Sequence, residues 1–230
     1  AESRTMIIVT GASRGLGRAV CDRLIANGQE VFGLARNVDG LPFHAMPCDM
    51  SDYDQVKAVA RELRKQKANV TGLINAAGVA AMNLAITTPQ STTERVIRIN
   101  LLGTIYSCQL LAPLMMRSNA GSIINFSTIA VALGLKGESI YVASKAGVEG
   151  FSRTFAREMA DFGIRVNCVA PGPIDTALLR GITGDQIDKI VSQQIFAKQY
   201  TPDAVCDIVE LLLDPRSSAI TGEVLNVGGA

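Results

Sequence analysis

The stretch at residues 6–28 constrains the fold more than any other part of this 230-residue chain. A short apolar, β-rich run at 6–10 stops at the glycine-rich turn GASRGLG. Apolar residues then recur at helical spacing until Gly28, which predicts a helix that ends there. When a strand, a glycine-rich turn and a helix follow one another, backbone N–H groups at the start of the helix face a pyrophosphate. The stretch therefore predicts a nucleotide site at the N-terminus of an α/β chain.

Strands alternate with helices along the rest of the chain. We predict further strands at 30–35, in HAMPCD from His44, at 72–75, in the apolar run before Ser127, at 165–170 and at 223–227. Helices are predicted from about Asp52, at 92–116, from Tyr141 and at 202–213. This alternation is typical of one α/β domain over 1–230, a Rossmann-type doubly wound fold with a mainly seven-stranded parallel sheet and helices on both faces. Ligands of such sheets bind at the carboxyl ends of the strands.

The composition narrows the class of protein. A net charge of +1 gives no overall field that would attract nucleic acid or an anionic membrane. Five widely spaced cysteines in apolar segments indicate reduced core residues of a cytoplasmic protein, and no metal-binding spacing occurs. We read no signal peptide and no membrane span, because no apolar run reaches 18 residues. The one histidine, His44, begins a strand, so Ser-His hydrolase chemistry is not expected.

The residue after the second predicted strand indicates which dinucleotide the chain binds. Sites for NAD place an acidic residue there, whereas an arginine accommodates the extra phosphate of NADP. Here the residue is Arg36, and Arg14 in the glycine-rich turn can reach the same phosphate, while Asp39 lies too far past the strand. Two guanidinium groups favour NADP(H); the alternative is that Arg36 is only a solvated loop residue. Asp49, which closes the third strand, either meets the adenine or caps the next helix.

Tyr141 and Lys145 lie four residues apart, so a helix that begins near Tyr141 puts both side chains on one face. A nearby cation lowers the pKa of a phenol from about 10, each unit being worth about 1.4 kcal/mol, and we expect Tyr141 to act as an acid or base. Tyr53 and Lys57 share the spacing in a strongly charged segment that indicates a surface helix. The spacing alone is therefore a weak signal, but small residues surround Tyr141.

Two further segments bear on a site. The predicted helix at 92–116 is apolar on nearly all sides, which indicates burial in the core or against a partner subunit. Asn100 within it needs hydrogen-bond partners, either as a core polar group or as part of a site. The irregular region at about 176–200, with Leu178, Leu179, Ile182 and Phe196, suits a mobile apolar flap over the substrate.

Six motifs in a fixed order resemble the short-chain dehydrogenase/reductase family from nearly one end of the chain to the other. They are TGASRGLG at 10–17, NAAG at 75–78, INLLG around Asn100, the hydroxyl-bearing IINFST, YVASK at 141–145 and PGPIDT at 171–176. In outline the chain is similar to the beta-ketoacyl-acyl-carrier-protein reductases of that family. The resemblance implies hydride transfer between NADP(H) and a carbonyl or secondary alcohol, with Tyr141 as the acid or base.

The resemblance also assigns the other site residues. Lys145 would lower the pKa of Tyr141 and hold the nicotinamide ribose, and Asn100 would position a water that relays protons. Asp49 would meet the adenine, Asn75 the adenosine side, and Gly172 with Thr176 the nicotinamide end. The full set of expected cofactor-binding residues is Gly11, Ser13, Arg14, Gly15, Leu16, Gly17, Arg36, Asp49, Met50, Asn75, Ala76, Ala77, Gly78, Tyr141, Lys145, Pro171, Gly172, Ile174 and Thr176.

The chain departs from the family at the catalytic hydroxyl. The family's serine usually lies thirteen residues before the tyrosine, a position that is Thr128 here, with Ser127 one residue earlier. Adjacent residues on a strand point to opposite faces, so one of the two is expected to reach the substrate, Thr128 ahead of Ser127. Ala76 stands where many members have asparagine, which we expect to be tolerated.

The substrate and the assembly are left open by the sequence. An acyl chain carried by an acidic carrier protein fits the apolar flap, but the expected docking positions, Arg117-Ser118-Asn119 and Asp161-Phe162, are only partly basic. A free small ketone or alcohol is the alternative substrate. A non-catalytic NADP-binding sensor or scaffold is the alternative class of protein. We expect a homo-oligomer, a dimer or tetramer, because the apolar helix and the small-residue face after Tyr141 can pack across a two-fold axis.

Overall fold

Seven parallel strands form one sheet in the computed structural model, which describes residues 5–174 and 184–230. The strands are β1 Thr5–Thr10, β2 Glu30–Ala35, β3 Ala45–Pro47, β4 Asn69–Asn75, β5 Gly121–Phe126, β6 Ile164–Pro171 and β7 Val224–Val227. Their order in space is β3-β2-β1-β4-β5-β6-β7, so the winding reverses between β1 and β4. A crevice forms at such a reversal, outside the carboxyl ends of the strands. The predicted doubly wound parallel fold is confirmed.

Helices cover both faces of the sheet. They are α1 Gly15–Ala26, α2 Tyr53–Lys65, α3 Gln90–Ile97, α4 Gly103–Leu111, α5 Ala130–Leu133, α6 Ser139–Met159, α7 Gly184–Val191 and α8 Pro202–Leu213. Because side chains alternate along a strand, Ile8 packs on one face with α2, α4 and α6, and Ile7 on the other with α1 and α8. The inner strands are apolar on both faces for this reason, as is typical of parallel sheets.

The predicted continuous helix at 92–116 is wrong in detail. A π-helical turn, Arg98–Leu102, separates α3 from α4, and a 3₁₀ turn follows at Ala112–Leu114. The wider turn is stabilised by its polar groups, since Thr104 Oγ1 donates to the Asn100 carbonyl oxygen at 2.8 Å. Such π-turns occur mostly as single insertions in α-helices and often at functional sites. This one turns the Asn100 side chain, which is fully buried, towards the end of β4.

The segment 90–118 meets the length and composition of a membrane-crossing helix, although no fully apolar run of that length was apparent in the sequence. Half of its apolar window is buried inside the fold. Val96 and Leu111, for example, are fully buried, and Leu111 packs in the core beneath the sheet. The pattern is that of a helix that forms part of a core.

Helix α6 lies close to the π-turn because its facing residues are small. A Cβ atom added to Gly147 would lie only 3.0 Å from Leu101 Cδ2, so a larger side chain would force the two helices apart. Tyr141 and Lys145 both lie in the first two turns of α6, as predicted from their spacing. The close packing carries their face of the helix to the carboxyl edge of the sheet.

Candidate active site

One cleft of about 450 Å³ opens along the carboxyl ends of the central strands. It gathers most of the residues that the sequence predicted for a site. Those that line it are Gly11, Ser13, Arg14, Gly15, Leu16, Gly17, Arg36, Asp49, Met50, Ala76, Ala77, Gly78, Ser127, Thr128, Tyr141, Lys145, Pro171, Gly172 and Ile174. The two ends of the cleft differ in chemistry, with the glycine-rich turn at one end and the Tyr141 hydroxyl at the other.

The glycine-rich turn brings backbone close to backbone. Gly11 and Gly15 have φ angles of 69° and 57°, a region that glycine enters without strain. A Cβ atom on Gly17 would overlap the Gly11 carbonyl oxygen, and one on Gly11 would lie 2.9 Å from the Ala77 backbone. Helix α1 begins at Gly15 with no acidic residue in its first turn. Its first N–H groups therefore face the cleft as an anion-binding site.

Arg14 and Arg36 flank this end of the cleft. Both side chains are exposed, and neither forms an ion pair with a residue in the ranges 5–174 and 184–230. Asp39 does not line the cleft. The end of β2 thus offers an anion a guanidinium group and no carboxylate. Recognition of a phosphate by arginine follows from the matching geometry of the guanidinium fork.

Asp49 lines the cleft and does not cap α2. Its Oδ1 accepts from the Ser51 N–H at 2.9 Å and from Ser51 Oγ at 2.7 Å. The cap of α2 is Asp52, whose side chain accepts from the N–H groups of Asp54 and Gln55. Of the two interpretations of Asp49 from the sequence, only a position beside a ligand agrees with this geometry.

The hydroxyls of Ser127 and Thr128 have different neighbours. Thr128 lies where it lowers the pKa of the Tyr141 phenol, and its Oγ1 accepts from the Ala130 N–H at 3.2 Å. Ser127 Oγ donates to Glu149 Oε1 at 2.6 Å, on α6. Both residues follow the end of β5 and both line the cleft, so the expected strand alternation does not apply to them. Their partners differ, and Thr128 is the hydroxyl that acts on the Tyr141 phenol.

The pKa of Tyr141 is not lowered, contrary to the expectation from its spacing with Lys145. The pKa of Tyr141 is raised to about 12, mainly by burial and also by the Glu138 charge, whereas Thr128 acts in the opposite direction. Burial also lowers the pKa of Lys145 to about 8. Loss of water is the largest cause of both shifts, because each charged form is poorly solvated in the protein.

Lys145 and Asn100 meet around Gly78 at the end of β4. Lys145 Nζ donates to the Phe126 carbonyl oxygen at 2.7 Å. Asn100 lies behind the cleft, where Oδ1 accepts from the Val79 N–H at 2.8 Å and Nδ2 donates to the Val79 oxygen and to Ser144 Oγ. A Cβ atom on Gly78 would lie 3.3 Å from Asn100 Oδ1 and 3.4 Å from Lys145 Nζ. The two side chains thus approach the same point from two elements.

Asn75 does not line the cleft, although the resemblance assigned it to the adenosine side. Its Nδ2 donates to Asn125 Oδ1 at 2.8 Å in the buried interior. The alternation along β4 turns this side chain towards α4, where Cys108 lies, and leaves the cleft to the backbone of NAAG after it. Thr176 and the flap residues Leu178, Leu179 and Ile182 lie outside the described residues. Within the rest of the flap, Ile190 lines the cleft, whereas Phe196 is 67% exposed.

Several residues of the cleft were missed by the sequence analysis. Glu138, with 6% of its surface exposed, lies three residues before Tyr141 and lines the cleft. A helical spacing of three residues was the signal that could have indicated it. The others are mostly apolar or lie in loops, and three of them, Ile99, Phe126 and Pro173, stand within the quoted motifs without having been expected in the site. The set is Leu34, Ala35, Asn37, Cys48, Val79, Ala80, Met82, Ile99, Phe126, Ile129, Ala130, Leu135, Pro173 and Ile190.

Comparisons with known proteins identify the family. The model of the short chain dehydrogenase family matches residues 5–187. The 3-oxoacyl-[acyl-carrier-protein] reductase FabG of Staphylococcus epidermidis is 34% identical over 236 residues, covering 96% of each chain. The aldohexose dehydrogenase of Thermoplasma acidophilum has a TM-score of 0.89 at 32% identity, covering 98% of this chain and 93% of its own. ElxO with NADP bound has a TM-score of 0.88 at 26% identity, covering 98% and 97%. The chain belongs to the short-chain dehydrogenase/reductase family, whose members are nicotinamide-dependent oxidoreductases.

Proposed function

We propose that the protein is an NADP(H)-dependent oxidoreductase that moves a hydride between the nicotinamide and a ketone or secondary alcohol. The observation that carries the proposal is that Thr128, Tyr141 and Lys145 line the same cleft as the glycine-rich turn. The bound nicotinamide supplies the hydride in reduction and accepts it in oxidation. Every proton in the reaction then passes through groups of the protein itself.

In reduction, Tyr141 gives its hydroxyl proton to the carbonyl oxygen of the substrate. Its pKa of about 12 keeps the phenol protonated near neutral pH, which is the state that an acid needs. Thr128 donates a hydrogen bond to the same oxygen, where negative charge develops as the hydride arrives at carbon. Lys145, with a pKa of about 8, exchanges protons at working pH and restores the phenol. Asn100 holds the backbone of Val79 beside this path.

The preference for NADP is supported by charge at the other end of the cleft. Arg14 and Arg36 line it without an ion-pair partner among the described residues, and the end of β2 carries no carboxylate there. A phosphate on the adenosine ribose would satisfy both guanidinium groups. The similarity to ElxO, a protein solved with NADP bound, supports the same cofactor.

Two substrate classes have support. A 3-oxoacyl thioester, carried by acyl-carrier protein, is supported by the similarity to FabG reductases and by the apolar lining of the cleft from Val79, Met82, Leu135 and Ile190. A free small ketone or alcohol is supported by the similarity to an aldohexose dehydrogenase and by the Glu138 carboxyl group in the cleft. In both classes the reacting centre is a ketone or a secondary alcohol, so Tyr141 has the same role.

A panel of carbonyl substrates followed by NADPH absorbance tests the function. It includes a 3-oxoacyl thioester, small ketones and, with NADP⁺, the matching secondary alcohols. We expect NADPH consumption with at least one ketone and a much lower rate with NADH. The non-catalytic sensor or scaffold predicts tight NADPH binding and no turnover with any member of the panel. That result would reject the proposed enzyme.

The two adjacent hydroxyls are expected to behave differently when each is removed. Thr128→Ala should lower kcat/KM by about 10²-fold, because it removes a hydrogen bond to the developing oxyanion. Ser127→Ala should mainly lower stability, by about 1–3 kcal/mol, since it leaves the Glu149 carboxylate without its donor. Steady-state kinetics and thermal unfolding of both variants check this, with the exposed Thr154→Ala as the control. The reverse ranking in kcat/KM would assign the catalytic hydroxyl to Ser127.

Assembly into a homo-oligomer is also part of the proposal. Leu101 in the π-turn and Ile105 on α4 are only partly buried, so the core of one copy does not cover these side chains completely. A second copy that packs on them would complete their burial, as is usual in closed symmetric assemblies. Mass photometry that reports only a monomer would reject this part.

A further inference from the structure

Glu138 occupies an unusual position for a carboxyl group. It is the residue at the N-terminal end of α6, yet its side chain makes no capping hydrogen bond to that helix. Only 6% of its surface is exposed, and it lines the cleft three residues before Tyr141. A carboxylate is rarely buried unless it is paired or hydrogen-bonded.

No described residue supplies that partner. Glu138 forms no side-chain hydrogen bond and no ion pair with the residues whose side chains the structure describes, 5–174, 184–185 and 187–230. The buried cation of the site, Lys145, donates to the Phe126 carbonyl oxygen instead. Burial accordingly raises the pKa of Glu138. The carboxyl group thus keeps an open acceptor position that faces the cleft.

The carboxyl group lines the same cleft as Tyr141, three residues before it in the chain. Its charge also raises the pKa of Tyr141, the residue that is proposed to meet the substrate oxygen. A substrate group that bonds to Glu138 would therefore lie at the Tyr141 end of the cleft. The pyrophosphate end of the cofactor is anionic and cannot satisfy a carboxylate. The complementary group is a hydrogen-bond donor of the substrate.

We propose, resting on the proposed function, that Glu138 is a specificity-determining residue that accepts a hydrogen bond from a hydroxyl group adjacent to the reacting carbon. The preferred substrates are then α-hydroxy ketones and vicinal diols. A plain ketone leaves the carboxylate without its donor. A 2-oxo carboxylate places a second negative charge beside it, which is unfavourable in a poorly solvated site.

A hydroxyl group fits the surroundings better than an ammonium group does. Val79, Met82, Leu135 and Ile190 give the cleft an apolar lining. Moving an ammonium ion out of water into such a cleft carries a large desolvation penalty, even beside a carboxylate. A hydroxyl group loses far less hydration and still donates one hydrogen bond to the charged oxygen.

Three ketones of matched size test the proposal: 1-hydroxy-2-butanone, 2-butanone and 2-oxobutanoate. The readout is the ratio of their kcat/KM values in wild type, Glu138→Leu and Glu138→Gln. A ratio cancels any general effect of the variants on Tyr141, because all three substrates need the same proton. Glu158→Gln, an exposed glutamate on the same helix, is the matched control.

We expect Glu138→Leu to lower the ratio of 1-hydroxy-2-butanone to 2-butanone by about tenfold or more. Both variants should raise kcat/KM for 2-oxobutanoate relative to 2-butanone, because the like charge is gone. Glu138→Gln gives this second readout without a change in side-chain volume, in case the leucine variant does not fold. Unchanged ratios in the variants would overturn the proposal. If the ratios are unchanged and the variants also bind NADPH about tenfold more weakly, the proposal is overturned and the carboxylate is assigned to the cofactor.

Failure of the proposed function gives a different result. In that case wild type turns over none of the three ketones and no acyl thioester, although it binds NADPH. The Glu138 proposal is then tested by calorimetry, which measures the affinity of 1-hydroxy-2-butanone for the complex of the protein with NADP⁺. At least tenfold weaker binding to Glu138→Leu supports the proposal, and equal binding overturns it.

Discussion

Tyr141→Phe is expected to lower kcat/KM for ketone reduction by about 10²- to 10⁴-fold, the range in which a positioned acid contributes. This corresponds to a loss of about 3–5 kcal/mol of transition-state stabilisation. The phenylalanine ring keeps the shape that packs in the cleft, so only the hydroxyl group and its interaction with Thr128 are lost. NADPH affinity, measured by fluorescence titration, should stay within about threefold of wild type.

The chain contains its own control for this experiment. Tyr53 is also followed by a lysine four residues later, and Lys57 Nζ lies 5.9 Å from the centre of its ring. Tyr53 is exposed on α2 and does not line the cleft. Tyr53→Phe should therefore leave kcat/KM unchanged. Near wild-type turnover in Tyr141→Phe would contradict the assigned mechanism, whatever the control shows.

Arg36→Asp is expected to change the preference for NADPH over NADH by about 10²-fold or more, measured as the ratio of the two kcat/KM values. The substitution removes a charge-assisted bond to the extra phosphate, worth about 1.5–3 kcal/mol. It also brings a carboxylate to the end of β2, which repels that phosphate and accepts from the ribose hydroxyls of NADH. The lower kcat/KM with NADPH and the higher kcat/KM with NADH therefore both decrease the preference for NADPH.

Arg61→Asp makes the same change in net charge on the exposed side of α2, outside the cleft. It should leave the cofactor ratio unchanged, because exposed charges far from a site are largely screened. If Arg36→Asp and Arg61→Asp shift the ratio equally, overall charge and not a bound phosphate explains the preference. If neither shifts it, Arg36 is the solvated loop residue that the sequence left as the alternative.

Much of the fold follows from local signals in the sequence. Strand β2 and helix α8 have the predicted bounds, because Gly28 and Arg36 bracket the first and Pro202 and Pro215 bracket the second. The π-turn in the long helix was not predicted. Hydrophobic periodicity identifies this segment as a helix that is apolar on all sides. In such a helix an extra residue in one turn does not bring an apolar residue into water, so the periodicity carries no sign of the π-turn.

The site was predicted less evenly than the fold. Backbone-binding motifs such as the glycine-rich turn depend on residue type at fixed spacing, and they line the cleft as expected. The direction in which a single side chain points was harder to predict, as Asn75 illustrates. Neighbouring residues on a strand face opposite sides, so a shift of one residue moves a side chain from the cleft to the core. The sign of the Tyr141 pKa shift was wrong because burial depends on the whole fold. Glu138 was missed for a similar reason, since its isolation from partners is a property of the tertiary structure.

The π-turn at Arg98–Leu102 makes this helix sensitive to insertions and deletions in a particular way. Removing one residue there would restore a regular α-helix, so the chain would keep its fold and its solubility. Helices α3 and α4 would keep their present faces, because the deletion removes only the extra residue that the wider turn holds. Asn100 lies inside that turn, so its hydrogen bonds to the Val79 backbone would be lost while the packing of α4 on α2 and α6 is retained. In homologous chains, a change of length at this point would therefore separate catalytic competence from folding.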